Sequence, residues 1–132
     1  MNLRFFLIPL LLLPLHAGLA QTPATTSKKA IDAYNRALQS YSLNNYPLAE
    51  QQLQEAIRAD EKFQDAYLVL AEVYIDARQP LKAIDIYYKA LPLDEKHYPY
   101  GFIRLANLEV AEGRYKEALG NYRRFLSLSA GT

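Results

Sequence analysis

Hydrophobic positions between Tyr67 and Leu93 recur every three or four residues, with polar residues between them. This spacing places the apolar side chains on one face of an α-helix, so the stretch predicts two amphipathic helices joined by a short turn. The residues on these faces are Tyr67, Leu70, Tyr74 and Tyr87, with Ala71, Ala83 and Ala90. The alanines matter because two helices approach to about 8–10 Å only where the side chains at their crossing are small.

The same arrangement recurs before and after this stretch. Ala37, Ala49 and Ala56 lie 34 residues before Ala71, Ala83 and Ala90. A third set follows at a spacing of 35: Phe102, Leu105, Ala106, Gly113, Tyr115, Ala118 and Tyr122. A fixed period of this kind indicates a repeat architecture. We therefore predict three units, over about residues 30–63, 64–98 and 99–130, with the extra residue in the connector 94–99.

Polar residues predict where the helices of the first unit begin and end. Thr26 or Ser27 is the predicted N-cap of a first helix that runs from Lys28 to about Leu43. Asn44-Asn45 predicts a turn, because asparagine tolerates the left-handed backbone conformation. Pro47 suits the first turn of a second helix, where its missing N–H costs nothing.

The central stretch resembles the tetratricopeptide repeat (TPR), a helix–turn–helix unit of about 34 residues with aromatic, leucine and small residues at set places. Tyr67, Leu70–Ala71, Tyr74, Ala83, Tyr87 and Ala90 fill those places in order. The departures are Glu95 for the family's late proline, Ala33 and Arg36 in the first unit, and Phe125 in the third. The resemblance implies an all-α fold: a right-handed α-solenoid of three TPR units with six helices, after a cleaved signal peptide.

The N-terminal residues predict a secretory signal. Met1–Ala20 has Arg4 near its start, an apolar run from Phe5 to Leu15 and small residues before Gln21, so cleavage is expected between Ala20 and Gln21. The alternative is a membrane anchor, but a run of about eleven apolar residues is short of the roughly 20 needed to span a bilayer. Residues 21–27 are then a flexible leader and 28–129 the TPR domain.

Charge and cysteine content narrow the function classes. Removal of the signal takes away one of the 15 basic residues and leaves 14 against 14 acidic ones, so the mature chain has no net charge. Neutrality argues against nucleic acid or anionic lipid as the main partner, since both require a basic surface. The sequence has no cysteine, which removes disulfides and a lipid-carrying cysteine. The expected location is the periplasm or cell envelope of a Gram-negative bacterium.

The first helix of each unit lines the concave side of such an array. A contiguous strip of apolar residues and tyrosines there predicts a groove for an extended peptide or a helix. The predicted groove residues are Tyr34, Leu38, Tyr41, Leu68, Val69, Glu72, Ile75, Tyr100, Ile103, Arg104 and Asn107. The alternative is that neighbouring helices cover part of this strip in a short, tightly curved array.

Co-chaperone members of the family hold the carboxylates of a peptide tail with lysine, asparagine and arginine side chains. The places that match those residues here are Tyr34, Leu38, Val69, Tyr100 and Arg104. A single cation does not form such a clamp, so the sequence argues against recognition of a chaperone tail. The expectation for Arg104 is a solvated or ion-paired side chain.

The last predicted helix, about Lys116–Leu128 after the helix-ending Gly113, keeps an apolar face. Arrays of this kind usually finish with a further helix with a polar outer side, and the sequence shows none. We therefore predict a C-terminal interaction face, formed by Leu119, Tyr122, Phe125 and Leu126, that meets a partner or a second copy of the chain.

The chain has a predicted signal peptide, then a repeat with the first helix AYLVLAEVY, then a repeat that ends in KEALGNYRRFLSL. This order resembles the N-terminal TPR region of bacterial envelope proteins that continue into a WD40-like β-propeller and an OmpA-like domain. No catalytic, cofactor-binding or metal-binding motif is found: His97 is a lone loop histidine, and acidic pairs such as Asp60–Glu61 fit solvated turns. The predicted function is therefore not an enzyme but an exported protein–protein interaction module. The alternatives are a self-associating spacer and the N-terminal part of a larger envelope, peptidoglycan-associated or secretion-related assembly.

Overall fold

The computed structural model describes residues 25–130, which form six α-helices and no β-strand. The helices are α1 (Lys28–Ser42), α2 (Tyr46–Ala59), α3 (Gln64–Asp76), α4 (Pro80–Ala90), α5 (Tyr100–Ala111) and α6 (Tyr115–Ser129). A short 3₁₀ helix, Leu91–Leu93, extends α4. Contacts are densest within the pairs α1/α2, α3/α4 and α5/α6, and then between α2 and α3. The predicted fold class, a right-handed solenoid of three helical hairpins, is confirmed.

The predicted signal peptide lies outside the described residues. Within residues 25–130, no helix is both long enough and apolar enough to cross a membrane.

The first helix begins at a predicted cap, and Asn45 of the predicted turn caps the second helix. The Ser27 hydroxyl accepts a hydrogen bond from the Ala30 N–H at 3.3 Å, which satisfies one of the free donors of the first turn of α1. The Asn45 side chain accepts from the Leu48 N–H at 3.3 Å and caps α2 in the same way. Pro47 lies in the first turn of α2, as predicted.

Each hairpin turns through one residue with positive φ. These residues are Asn44, Arg78 and Gly113, with φ of 57°, 58° and 74°, and they occupy the same place in the three repeats. Asparagine and glycine adopt this conformation readily, whereas the Cβ of Arg78 crowds the backbone there. The residue types Asn44 and Gly113 predict the first and third turns, whereas the arginine at the second turn gives no such signal.

The core lies along the alanine crossings. All the alanines that define the repeat pattern are fully buried: Ala37, Ala49, Ala56, Ala71, Ala83 and Ala90. Tyr87 and Phe63 are the largest fully buried side chains. Tyr67 is a correction to the predicted packing, because it is only half-buried and lines a cleft on the outer side with Ile57 and Ile86.

The junction between the second and third repeats contains the extra residue. The 3₁₀ turn buries Leu91, and the buried Gln64 amide donates to the carbonyls of Ala90 at 2.9 Å and Asp94 at 2.8 Å. Gly101 faces this turn so closely that a Cβ there would collide with the Leu91 side chain. The connector 94–99 lies where the sequence predicts it. The sequence gives no signal for Gln64, whose hydrogen bonds hold the backbone at the start of this connector.

We predict that Arg78→Gly stabilises the protein by about 0.5–1 kcal/mol. Glycine removes the left-handed strain of Arg78, and this gain exceeds the additional chain entropy that glycine loses on folding. Urea unfolding followed by circular dichroism measures the difference. Gly113→Ala is the matched control and should cost about 1 kcal/mol, since alanine is strained at positive φ. Equal midpoints for the wild type and Arg78→Gly would contradict the account of this turn.

Candidate interaction surfaces

The concave side contains a cleft of about 470 Å³ between the first helices of the three repeats. Its lining is Tyr34, Asp65, Leu68, Val69, Glu72, His97, Tyr98 and Arg104. Five of these side chains belong to the groove predicted from sequence, whereas His97 and Tyr98 come from the connector before α5. The apolar floor is formed by Leu68 and Val69, which lie between the Asp65–His97 and Glu72–Arg104 pairs.

The remaining predicted groove residues lie around this cleft. A smaller cleft of about 210 Å³ is lined by Ile75, Arg104, Asn107 and Leu108, so Arg104 lines both clefts. Tyr41 lies at the end of α1, where its hydroxyl donates to Asp76 of α3 at 2.6 Å. Leu38 and Tyr100 are exposed and Ile103 is half-buried. No contact in the structure tests their role in binding, which stays a prediction.

Arg104 is paired within the chain, as the sequence led us to expect. Its guanidinium contacts both Glu72 oxygens, and its Nε lies 2.7 Å from Glu72 Oε1. The same Nε donates to the Tyr87 hydroxyl at 3.1 Å, and that hydroxyl donates to Glu72. Burial of Tyr87, and then its hydrogen bond to Glu72, raise the pKa of the phenol. This network holds the carboxylate and the guanidinium together in the wall of the groove.

His97 is an exposed loop residue, as the sequence predicts, but its side chain is not without a partner. Its Nε2 lies 2.9 Å from a carboxylate oxygen of Asp65, and both side chains are partly covered. Burial, and then the charge of Asp65, raise the pKa of the neighbouring Tyr34, whose ring packs on Phe63 with 5.0 Å between centroids. The connector therefore closes one side of the cleft.

The predicted C-terminal face divides into two parts. Leu119 and Leu126 are exposed, as expected for a free face. Tyr122 and Phe125 are half-buried and contact α5: the Tyr122 hydroxyl donates to Asn107 at 2.6 Å, and the Phe125 ring lies 5.4 Å from that of Tyr100. The two predicted surfaces are therefore connected through α5, and only the leucines form an open outer face.

Glu109 is a fully buried carboxylate that sequence reasoning missed. It accepts hydrogen bonds from the Tyr88 hydroxyl and from Asn121 Nδ2, the latter at 2.8 Å. The same repeat place holds Ser40, which donates to Gln52, and Tyr74, which donates to Glu50. The repeat register was the signal that could have found it, since a polar or hydroxyl group occurs at that place in every unit.

Tyrosine–carboxylate hydrogen bonds recur along the array. The pairs are Tyr41–Asp76, Tyr74–Glu50, Tyr87–Glu72 and Tyr88–Glu109. All but the Tyr87 pair join one repeat to the next. In each tyrosine, burial first and then the bonded carboxylate raise the pKa of the hydroxyl, for Tyr74 to about 12. The neutral phenol is thus the form that the fold requires.

Comparison with known proteins supports the fold. No protein-family model matches the chain, and no curated protein matches it. The structure of MamA matches 80% of this chain and 61% of its own, with a TM-score of 0.74 and 21% identity, so the chain spans about three fifths of MamA. The second TPR of Spaghetti (RPAP3), bound to the HSP90 peptide SRMEEVD, matches 77% of this chain and 94% of its own, with a TM-score of 0.69 and 22% identity.

The Yersinia enterocolitica type III secretion chaperone SycD, in complex with a peptide of the translocator YopD, also shares the fold. It matches 74% of this chain and 74% of its own, with a TM-score of 0.67 and 21% identity. At these identities the likeness establishes the TPR-type solenoid fold.

We predict that Tyr74→Phe lowers the free energy of unfolding by about 1 kcal/mol at neutral pH, because one hydrogen bond is lost. The folded state keeps the Tyr74 proton up to a pKa of about 12, whereas the unfolded phenol loses it near 10. The stabilisation is therefore complete below pH 10 and is lost as the pH rises towards 12. Urea midpoints measured from pH 7 to 12 should fall less steeply for Tyr74→Phe, and parallel curves would contradict the assignment.

Proposed function

We propose that the chain is a protein-interaction module whose concave groove holds an extended segment of a partner protein. The observation that carries this proposal is the cleft of about 470 Å³, which combines an apolar floor with charged walls. Apolar side chains of a bound segment would contact Leu68 and Val69, and its polar groups would contact the Asp65–His97 and Glu72–Arg104 pairs. Such a mixture of apolar contact and a few placed polar groups is typical of binding sites.

The charged side chains of the groove indicate which charge a bound segment should carry. Asp65 and Glu72 supply two carboxylates to the cleft, Asp76 supplies a third beside the groove residue Tyr41, and Arg104 supplies one guanidinium that is already paired with Glu72. A segment with a lysine or arginine among apolar residues complements this surface, whereas an acidic tail would be repelled. The segment is therefore expected to differ in charge from the SRMEEVD peptide of the Spaghetti (RPAP3) complex.

The solved neighbours support peptide binding as the general function. The Spaghetti (RPAP3) and SycD structures each contain a bound peptide on the same fold. Fold alone does not determine function, so the proposal depends on the residues of this groove. An interaction module accounts for them without a catalytic role.

The proposal includes export and a place in the cell envelope. Its support is the signal-like pattern of residues 1–20 and the resemblance to envelope proteins that continue into WD40-like and OmpA-like domains. A second candidate function is a self-associating spacer, which the exposed Leu119 and Leu126 favour because such a face gains free energy when it is covered. In that case the partner would be a homo-oligomer formed through the C-terminal face.

We predict that peptides selected from a random display library on the mature chain, residues 21–132, combine a lysine or arginine with leucine or aromatic residues. Leu38→Ser should weaken their binding about fivefold, because a partly exposed groove leucine contributes roughly 1 kcal/mol when covered. Asp76→Asn should weaken it about two- to fivefold, as for an exposed ion pair. Fluorescence anisotropy of the labelled peptides measures both effects.

Matched control variants lie outside the groove. Leu81→Ser and Asp85→Asn change an exposed leucine and an exposed aspartate of α4, and they should leave the affinity unchanged. Enrichment of acidic peptides, or equal losses in groove and control variants, would contradict the proposed groove.

We predict that the protein isolated from the envelope fraction of its native cell begins at Gln21, because signal peptidase cleaves after the small residue Ala20. N-terminal sequencing identifies the first residue. Replacement of Ala20 by a large residue, as in Ala20→Phe, should leave the precursor uncut. A native protein that retains Met1–Ala20 would exclude cleavage at this site.

A further inference from the structure

Two exposed leucines of α6 occupy places that are buried in the repeat before. Leu119 and Leu126 lie 35 residues after Ile84 and Leu91 of the second repeat. Ile84 and Leu91 are 0% and 1% exposed, whereas Leu119 and Leu126 are 49% and 63% exposed. The difference arises because α5 covers the earlier pair, and no helix within residues 25–130 covers the later one. The way α5 packs therefore indicates what fits on α6.

Helix α5 presents three different residues at four-residue intervals to the second repeat. Gly101 lies so close to Leu91 that an added Cβ would collide with the leucine side chain and require it to move. Leu105 is buried in one cluster with Ile84 and Leu91. Glu109 then accepts a hydrogen bond from the Tyr88 hydroxyl of α4. A small residue, a leucine and a hydrogen-bonding group thus define the contact.

The preceding junction follows the same rule. Helix α3 presents Ala66, Leu70 and Tyr74 at the same intervals, and all three are buried with Leu53 and Ala56 of α2. The Tyr74 hydroxyl donates at 2.7 Å to Glu50 of α2, which takes the repeat place of Ile84, one turn before the place of Tyr88. The third position is thus a polar contact at both junctions, although its chemistry differs. At each junction, the residue at the third position can form a hydrogen bond with a side chain of the helix that it covers.

On α6 the matching polar place is occupied by a cation. Arg123 lies 35 residues after Tyr88, and its side chain is exposed between Leu119 and Leu126 on the helix surface. The neighbouring Arg124 is ion-paired with Glu95, so its side chain is already engaged by the connector of the second repeat. A helix that covers Leu119 and Leu126 as α5 covers α4 would bring its third position to Arg123. A carboxylate there would form a charge-assisted hydrogen bond.

A second copy of the chain does not supply this helix. In α1 the three corresponding positions are Asp32, Arg36 and Ser40, and Arg36 is ion-paired with Glu55 at 2.8 Å. Covering α6 with α1 would bury those charges. An antiparallel pair of α6 helices that matches Leu119 with Leu126 would place the two Arg123 side chains side by side, and like charges there repel. Both arrangements lack the small-residue and carboxylate positions.

We propose that the outer face of α6 docks an amphipathic helix of another protein that carries glycine or alanine, leucine and aspartate or glutamate at successive four-residue intervals. The small residue sits against Leu126, the leucine fills the space between Leu119 and Leu126, and the carboxylate binds Arg123. This site is separate from the concave groove, and either can be occupied when the other is not.

The test uses a synthetic peptide of residues 98–112, because α5 itself carries the required pattern. A lactam bridge between positions 107 and 111, on the opposite side of the helix, holds it helical, since an isolated helix of this length is marginal in water. Fluorescence anisotropy with the purified protein should show saturable binding. The Leu126→Asp variant should bind at least about tenfold more weakly, because a charge replaces the covered leucine.

Charge exchange tests the third position. A peptide with Glu109→Arg should bind the wild-type protein about tenfold more weakly, and the Arg123→Glu protein should restore its binding. Leu38→Ser, in the groove, should leave all these affinities unchanged, so failure of the groove proposal and failure of this one give different results. Circular dichroism of each variant confirms that it is folded.

Four results would overturn the proposal. They are no saturable binding up to about 1 mM peptide, binding insensitive to Leu126→Asp, binding lost on Leu38→Ser, and failure of the charge exchange to restore affinity. Analytical ultracentrifugation adds a fifth: a wild-type dimer that Leu126→Asp converts to a monomer would show that a second copy covers this face.

Discussion

The array depends on the burial of one apolar helix face by the next helix. A single hairpin such as α3/α4 buries alanines at its own crossing but leaves Ile84 and Leu91 to be covered by α5. Each repeat is therefore stable only because of its neighbour, which is the general property of solenoids. The small residues favour this arrangement, since Ala83 is fully buried at its helix crossing and a Cβ at Gly101 would collide with the Leu91 side chain.

Polar contacts then fix the geometry that apolar packing leaves open. Apolar faces tolerate some sliding, whereas a hydrogen bond such as Tyr74–Glu50 or Tyr88–Glu109 is made at one relative position only. The same kind of contact shapes the groove, because Tyr87 and Arg104 hold Glu72 from two different helices. The groove wall is thus part of the junction between repeats and not an addition to it.

Most of the fold could be predicted from the sequence because its signals are local. Alanine spacing, the Ser27 cap and the Asn44 and Gly113 turns each depend on residues a few positions apart. The groove's polar pairs could not be found that way, since Asp65–His97 and Glu72–Arg104 join residues 32 positions apart. Their common separation, slightly less than one repeat, shows that the repeat register carried the information, with His97 in the connector before α5 and Arg104 in α5 itself. Gln64 had no such signal, because its partners are backbone carbonyls.

The two ends of the described array differ in chemistry, and the difference gives it a direction. The outer side of α1 has Asp32 and Arg36 where α3 and α5 have small residues and leucines, so it favours water over another helix. The outer side of α6 has Leu119 and Leu126 where α4 has its covered residues. Addition of a helix is therefore favoured at one end only, which disfavours head-to-tail filaments of the chain.

A helix docked on α6 would take the place of the next first helix, and first helices line the groove. It would thus lengthen the concave surface beyond α5 and place two binding surfaces of one module side by side.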